Sequence, residues 1–252
     1  DRDTLHIDLD KCKDLITDNT KAIMPVHIYG TAVDMDSVMS FAKNHKLKVI
    51  EDAAQAIGVT WNDQHCGSFG DVASFSFFAD KTIRKDRGSF IHPEIGYNFR
   101  ITDIQCAIGL TQLNKLDTII SNKQRILQQY KKHLNGIAGL KIMEPAGLSN
   151  HIPFRVAIIF DTTVTDIMDY LSSNDIETRT FFYPLHKQPC FTKIMYSQYC
   201  TQCIETAGAN CNMDCFKNST YNYNHGLCMP SYPDLENSQI KYICNLIKTY
   251  LS

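Results

Sequence analysis

The sequence predicts an α/β fold, in which a larger domain with a mainly parallel sheet is followed by a smaller α+β domain. Three observations support this: strand and helix patterns alternate in the first half, the middle is helical, and short mixed elements follow. Strand, helix and strand in succession form a βαβ unit, whose two strands are parallel. With 252 residues, the chain is long enough for one large domain or two smaller ones.

The first half supplies the βαβ pattern. Residues 22–28 are a short apolar run that predicts a strand. Asp34 can cap a helix over 35–45, in which apolar residues recur at helical spacing. Residues 47–50 and 72–78 predict two further strands of the same sheet.

The rest of the chain predicts helices and then a second unit. Thr102 and Gln105 fit a capping box, and Gly136 ends the long helix that follows. Beyond it the patterns indicate a strand over 153–160, a helix over 165–174, a strand over 176–182 and an amphipathic C-terminal helix. We therefore predict a large domain over 1–138 and a small domain over 139–252.

Composition and charge exclude several classes of protein. Apolar residues make up 44% and charged residues 21%, which is typical of a globular protein and not of a disordered one. The net charge of -2 gives no broad nucleic-acid footprint. No apolar run approaches the roughly 18 residues of a membrane span, and the first residues lack a signal-peptide pattern. We expect a cytoplasmic protein without a nucleic-acid or membrane partner.

Three polar residues lie at the ends of predicted strands, where ligands bind in open α/β sheets: one follows the strand over 47–50, and the other two lie in and after the strand over 72–78. They are Asp52, Ser76 and Lys81. An amine can form a Schiff base with an aldehyde, an acid can keep a pyridine nitrogen protonated, and a hydroxyl can bind phosphate. The set suits a phosphorylated, aldehyde-bearing cofactor, although each residue alone is more often a helix cap or a solvated charge.

Six motifs carry a family resemblance. They are PVHIYG (25–30), VIEDAAQA (49–56), GSFGD (67–71), FSFFADK (75–81), HPEIGYNFR (92–100) and FYPLH (182–186). In this order they resemble the DegT/StrS-type sugar aminotransferases, which depend on pyridoxal 5′-phosphate (PLP). The resemblance implies an aspartate-aminotransferase-like fold (fold type I) for the large domain. It is strongest to members that aminate C4 of a nucleotide-linked sugar, such as perosamine and viosamine synthases.

The resemblance also implies roles for the cofactor-binding residues. Lys81 matches the lysine that binds PLP covalently and later moves protons, and Asp52 matches the partner of the pyridine nitrogen. Gln55 matches a residue near the ring and its phenolic oxygen, and Ser76 matches a phosphate ligand. Asn98 matches a residue that reaches the phosphate of the neighbouring subunit, which implies a homodimer with shared active sites.

Three further residues lie in or near the same motifs. Arg179 and His186 resemble residues that line the sugar-nucleotide side, although Arg179 could equally pair with a surface acid. His27 has apolar neighbours, and we interpret it as a structural histidine.

The implied reaction moves an amino group from an amino acid, glutamate by family analogy, to a nucleotide-linked 4-keto-6-deoxyhexose. Lys81 favours amino transfer over the dehydratase branch of the family, in which histidine replaces this lysine. Two alternatives stay open. One is a 3-aminotransferase of the same family, and the other is a non-catalytic truncated homologue that keeps the fold and the dimer surface.

The sequence departs from the family pattern in two places. Only 20 residues precede Lys21, and they lack the phosphate-binding turn that the family carries there. Residues 84–90 lead almost directly to His92, where the family has a glycine-rich turn, a strand and a helix. Either segments are omitted from this sequence or the protein is shortened, and we expect omission.

A group of cysteines lies in an apparent insertion around 197–217. Four thiols at short spacing can hold zinc, but these gaps match no standard zinc motif. Free reduced thiols are the favoured alternative, so no metal is expected as a cofactor. The four residues are Cys200, Cys203, Cys211 and Cys215.

Overall fold

The computed structural model describes residues 1–76, 103–189 and 216–252, without the side chains of 103–106 and 108. The helices are α1 (Leu9–Lys13), α2 (Met35–His45), α3 (Asp103–Leu113), α4 (Leu116–Leu134), α5 (Thr165–Ser172), α6 (Lys217–His225) and α7 (Asn237–Leu251). The strands are β1 (Ala22–Ile23), β2 (Lys48–Asp52), β3 (Thr60–Trp61), β4 (Gln64–His65), β5 (Val72–Ser74), β6 (Leu140–Ile142), β7 (Val156–Phe160), β8 (Arg179–Thr180) and β9 (Gly226–Met229). Among these helices, none is long and apolar enough to cross a membrane.

The predicted βαβ unit is present. In the described residues β1, β2 and β5 form a parallel sheet in that order, and α2 connects β1 to β2. The helix has the predicted bounds because Asp34 Oδ1 accepts the Ser37 N–H at 3.0 Å, and Lys46 ends it with a left-handed backbone (φ 55°). Strand β1 is shorter than predicted, since Pro25 has no N–H to donate to a neighbouring strand.

The second part of the chain contains an antiparallel sheet, which fits the predicted α+β character. Its order in the described residues is β6-β7-β9-β8. Two of its strands, β6 and β9, were not predicted, and the predicted strand over 176–182 is only two residues long. The sheet joins strands that are far apart along the chain, as in the register of Val156 with Met229.

Three hydrophobic clusters form the core of the described residues: two are large, and the third is a small one around Tyr29 and Phe181. The first lies between α2 and the parallel sheet and includes Val38, Val49 and Trp61. The second is larger and contains buried side chains of α4, α5 and α7 and of the antiparallel sheet. Helix α4 carries Leu127 and Leu134 into this second cluster, so it packs with the C-terminal part of the chain.

The two parts meet at a tight turn after β1. The turn contains Tyr29 and Gly30, both with positive φ (53° and 82°). The Ile152 N–H donates to the Gly30 carbonyl at 3.1 Å, and the Phe154 N–H donates to the Tyr29 carbonyl at 3.3 Å. A side-chain carbon on Gly30 would lie 1.8 Å from the Ile152 oxygen, so only glycine fits this contact.

Several predicted features lie outside the described residues. They include the start of the capping box at Thr102, the end of the strand over 72–78, the short connection between Ile83 and Ser89, and most of the cysteine-containing insertion.

Candidate active site

Two of the predicted site residues lie at the carboxyl edge of the parallel sheet. Asp52 is the last residue of β2 and is in register with Ser74 at the end of β5. Ser76 follows two residues later on the same segment and is half-buried, as Asp52 is. Because parallel strands end at one edge, the sequence-predicted acid and hydroxyl lie at the ends of adjacent strands.

The backbone and side chain of Asp52 are both held by hydrogen bonds. Its N–H donates to the Pro25 carbonyl at 2.9 Å, and its carbonyl accepts the His27 N–H at 3.0 Å. Its Oδ1 accepts the Ala54 N–H at 3.0 Å, which is a local side-chain to backbone turn. Within the described part of the chain, the second carboxylate oxygen accepts no hydrogen bond, so it can face a ligand.

Gln55 links the sheet edge to the turn after β1. Its Oε1 accepts the Tyr29 N–H at 2.8 Å. Since the amide oxygen is engaged, the amide NH₂ is the group that Gln55 can offer to an acceptor such as a phenolic oxygen.

Tyr29 is a buried residue that sequence reasoning did not single out. It is 2% exposed, and its ring packs on Phe181 and Phe182 with centroid distances of 5.0 and 5.6 Å. Its hydroxyl accepts the Phe182 N–H at 3.3 Å. Burial, with a smaller contribution from Cys228, raises the pKa of Tyr29 well above its ordinary value, so its hydroxyl stays protonated. The residue therefore attaches the FYPLH segment to the sheet edge.

Glu51 is the second residue missed by sequence reasoning. It is fully buried, and it accepts the N–H groups of Gly67, Phe69 and Gly70 at 2.6, 2.8 and 2.7 Å. The His27 ring adds a fourth contact, with Nε2 at 3.1 Å from Glu51 Oε2. Burial raises the pKa of Glu51, but the hydrogen bonds from His27 and the three amides outweigh it and bring the pKa to about 2.

His27 has the structural environment expected of it. The side chain is fully buried, and Nδ1 accepts the Val33 N–H at 3.1 Å. Because Nδ1 is an acceptor, Nε2 carries the proton and donates it to Glu51. In the sequence, the only indication of Glu51 was that it is the acid before Asp52. No neighbouring residue indicated that its carboxylate would accept four hydrogen bonds.

His186 lies in the turn that follows β8. The ring is 8% exposed and stacks on Phe216 at 4.7 Å. Burial, and then the charge of Lys187, lower the pKa of His186. A cavity of about 770 Å³ lies close by, and its lining includes Tyr29, Phe182, Phe216 and Tyr223.

Arg179 lies elsewhere, in a cleft of about 970 Å³ next to α7. Its guanidinium pairs with Glu177 at 2.5 Å, and the side chain is 32% exposed. Lys123 in the same cleft donates to the carbonyls of Phe154 and Ser231 at 3.1 and 2.6 Å. These two cations of the cleft are therefore already engaged by protein groups.

The remaining predicted site residues cannot be placed. Lys81, Asn98 and the four clustered cysteines lie outside the described residues. Within the described residues, no cluster of three or more histidine, cysteine or acidic side chains could hold a metal ion.

The described residues fit the ring side of PLP. Asp52 offers a free carboxylate oxygen suited to a protonated pyridine nitrogen, and Gln55 offers an amide donor suited to an oxygen on the ring. Ser76 stands beyond β5, where a hydroxyl can reach a phosphate. This fold and this edge define a class: a PLP-dependent transferase of fold type I.

Comparison with solved structures confirms the fold. A structure of DesV from S. venezuelae overlays 100% of this chain and 71% of its own, with a TM-score of 0.79 and 22% sequence identity. The predicted aspartate-aminotransferase-like architecture is therefore confirmed.

Comparison with sequence families identifies the chain more closely. The chain belongs to the DegT/DnrJ/EryC1/StrS aminotransferase family, whose model matches residues 1–88 and 83–248. It is an aminotransferase, and its cofactor is PLP, as the resemblance of the motifs implied.

Two curated relatives carry names that specify a sugar. A GDP-perosamine synthase from Vibrio cholerae is 32% identical over 281 residues, which cover 99% of this chain and 72% of the relative. A dTDP-4-amino-4,6-dideoxy-D-glucose transaminase from Shigella dysenteriae is 29% identical over 266 residues, which cover 94% and 68% of the two chains.

Proposed function

We propose that this enzyme transfers an amino group from glutamate to C4 of a nucleotide-linked 4-keto-6-deoxyhexose and so forms a 4-amino sugar. The observation that carries the proposal is the similarity to a GDP-perosamine synthase along nearly the whole chain. The sheet edge supports it, because Asp52 and Gln55 present a carboxylate and an amide where this family's cofactor ring would need them.

Each of the chain's own site residues has a separate role in the proposed reaction. When bound, PLP supplies an electron sink that allows an amino group to move between a donor amino acid and a keto sugar. Asp52 keeps the pyridine nitrogen protonated, since an anion beside a cation favours the charged form. Gln55 donates to the phenolic oxygen, and Ser76 binds the phosphate. Lys81 holds the cofactor between turnovers and carries the proton between cofactor and sugar carbons.

The substrate side and the assembly are part of the same proposal. His186, which stacks on Phe216, is the residue that we propose for the sugar side. Arg179 is the one that we propose for the nucleotide side, where it would exchange its ion pair with the exposed Glu177 for the ligand. Asn98 of the partner subunit reaches the phosphate, so the working form is a homodimer. The division into domains at 1–138 and 139–252 and the cytoplasmic location also stay proposals.

The experiment incubates the purified protein with PLP, glutamate and each of three keto sugars, the GDP-, UDP- and dTDP-linked 4-keto-6-deoxyhexoses. One 2-oxoglutarate should form for each amino sugar, with the new C–N bond at C4 by NMR. Lys81→Ala should lose both the reaction and the yellow adduct that borohydride reduces.

Three results would count against parts of the proposal. Amino transfer to a 3-keto sugar, with none to the 4-keto sugars, would favour the 3-aminotransferase alternative. A colourless protein without activity would favour a non-catalytic homologue. A yellow adduct that survives Lys81→Ala would show that another lysine binds the cofactor.

A further inference from the structure

Glu51 and Asp52 are consecutive residues whose side chains leave β2 on opposite faces of the sheet. Glu51 is fully buried on the side of the core that also holds Val49, whereas Asp52 is half-buried on the other side. Alternation of this kind is intrinsic to a strand. The buried Glu51 therefore cannot contact a ligand at the sheet edge. However, one peptide unit joins it to Asp52, which can.

The hydrogen bonds of Glu51 fix more than its own position. Its four donors come from the loop over 67–70 and from His27. A buried carboxylate with four donors resists displacement, because losing any one leaves a polar group unpaired in the core. The loop and the turn after β1 are thus both anchored to the end of β2.

His27 completes a closed set of contacts around Asp52. Its ring donates to Glu51, while its backbone N–H donates to the Asp52 carbonyl at 3.0 Å. The ring cannot rotate freely, because Nδ1 accepts the Val33 N–H at 3.1 Å. His27 therefore contacts both the Glu51 side chain and the Asp52 backbone, and so it links the positions of the two acids.

We infer that Glu51 and His27 are positioning residues that aim the Asp52 carboxylate at the pyridine nitrogen of PLP. The inference rests on the role of Asp52 given under the proposed function. Neither residue touches the cofactor. Their contribution is to keep the carboxylate oxygen within contact distance of the ring nitrogen. At metal sites, losing a partner that orients a ligand in this way commonly costs about tenfold or more, and we expect an effect of that size here.

A cofactor analogue separates positioning from general stability. The analogue is the deaza form of PLP, in which carbon replaces the pyridine nitrogen while the aldehyde and phosphate stay. The full chain is titrated with PLP and with the analogue, and the dissociation constants give an affinity ratio that depends on the contact with Asp52. Glu51→Gln and His27→Gln should each reduce this ratio about tenfold.

Two reference variants calibrate the experiment. Asp52→Asn should abolish most of the preference for PLP over the analogue. Asp71→Asn is the matched control: Asp71 also ties the loop to β2, through Lys48 Nζ at 2.6 Å and the Val49 N–H at 2.9 Å, but from the solvent side. Asp71→Asn should leave the ratio unchanged.

Different outcomes overturn different statements. Equal weakening of PLP and analogue in Glu51→Gln and His27→Gln would mean that the pair only stabilises the fold, and an unchanged ratio would also overturn the inference. If Asp52→Asn itself leaves the ratio unchanged, the role of Asp52 is wrong and the inference goes with it. Should Glu51→Gln not fold by circular dichroism, His27→Gln decides the question, since it keeps the carboxylate and its three amide donors.

Discussion

His6 shows what burial does to a single titratable side chain. It is 7% exposed, and its Nε2 lies 3.0 Å from the Thr31 hydroxyl. That hydroxyl donates its hydrogen to the Ile28 carbonyl, so Nε2 must be the donor to Thr31. Burial, and then the nearby His27, lower the pKa of His6 to about 4. The residue is neutral in the folded protein at neutral pH.

We predict that His6 makes the protein acid-sensitive. The unfolded chain takes up a proton near pH 6.5 but the folded chain only near pH 4, so stability is lost as the pH falls between these values. His6→Asn should remove up to about 3 kcal/mol of that loss, measured by urea unfolding at pH 7 and at pH 4.5.

The exposed Asn44, which does not titrate, provides the control, because Asn44→Gln should leave the slope unchanged. His151, whose pKa burial also lowers to about 4, keeps part of the slope in both variants. A His6→Asn protein that loses as much stability as the wild type would contradict the prediction.

The loop over 67–70 is the element on which the buried Glu51 depends. Gly67 begins it with φ 89°, a backbone region that residues with a side chain rarely adopt. A side-chain carbon there would lie 2.3 Å from the Phe75 ring, which is 44% exposed and can move aside. The main cost of a side chain is therefore the backbone conformation.

We predict that Gly67→Ala destabilises the protein by about 1–2 kcal/mol, the usual cost of a left-handed residue. The loss should appear as a lower midpoint in urea unfolding. Gly109→Ala is the matched control, since Gly109 lies inside α3 and no atom of a described residue lies within 4 Å of the added carbon. That change should stabilise by about 1 kcal/mol, because alanine favours a helix. Equal effects of the two substitutions would refute the account of the loop.

At the scale of the whole molecule, the turn at Tyr29 and Gly30 connects the first hydrophobic cluster, which contains Ile152, to the small cluster that contains Tyr29 and Phe181. The Ile152 N–H bonds to Gly30, and the Tyr29 ring packs against Phe181 and Phe182. The same tyrosine donates its N–H to Gln55 at the sheet edge. A substitution that disturbs this turn should therefore also affect the sheet edge where we propose that the cofactor binds.

We predict that Gly30→Ala reduces stability more than its positive φ alone requires, because the new carbon would collide with the Ile152 backbone. Gly136→Ala isolates the conformational part, since Gly136 has φ 77° but an added carbon would have no atom within 4 Å in the part of the chain that the structure describes. Thermal unfolding should show a loss of about 1–2 kcal/mol for Gly136→Ala and at least twice that for Gly30→Ala. PLP affinity should fall only in Gly30→Ala. Similar effects of both substitutions would mean that Gly30 is not in tight contact with the Ile152 backbone.

The sequence by itself determined the parts of this protein that depend on nearby residues. Helix α2 begins and ends as predicted because its capping acid lies within one turn of the donor that it accepts. The parallel order of β1 and β2 followed from the strand–helix–strand pattern. The ordered motifs were enough to identify the family, and they placed Asp52 at the end of a strand.

Tertiary structure decided everything that joins distant segments. The partners of Glu51 come from 24 residues earlier and from 16 to 19 residues later, and no local pattern marks them as donors to one carboxylate. Tyr29 meets Phe182 across 153 residues. Strand β9 could not be predicted as a central strand, because its two neighbours lie far away along the chain. Long-range packing and buried hydrogen bonds selected these contacts, since each polar group that leaves water must find a partner inside the fold.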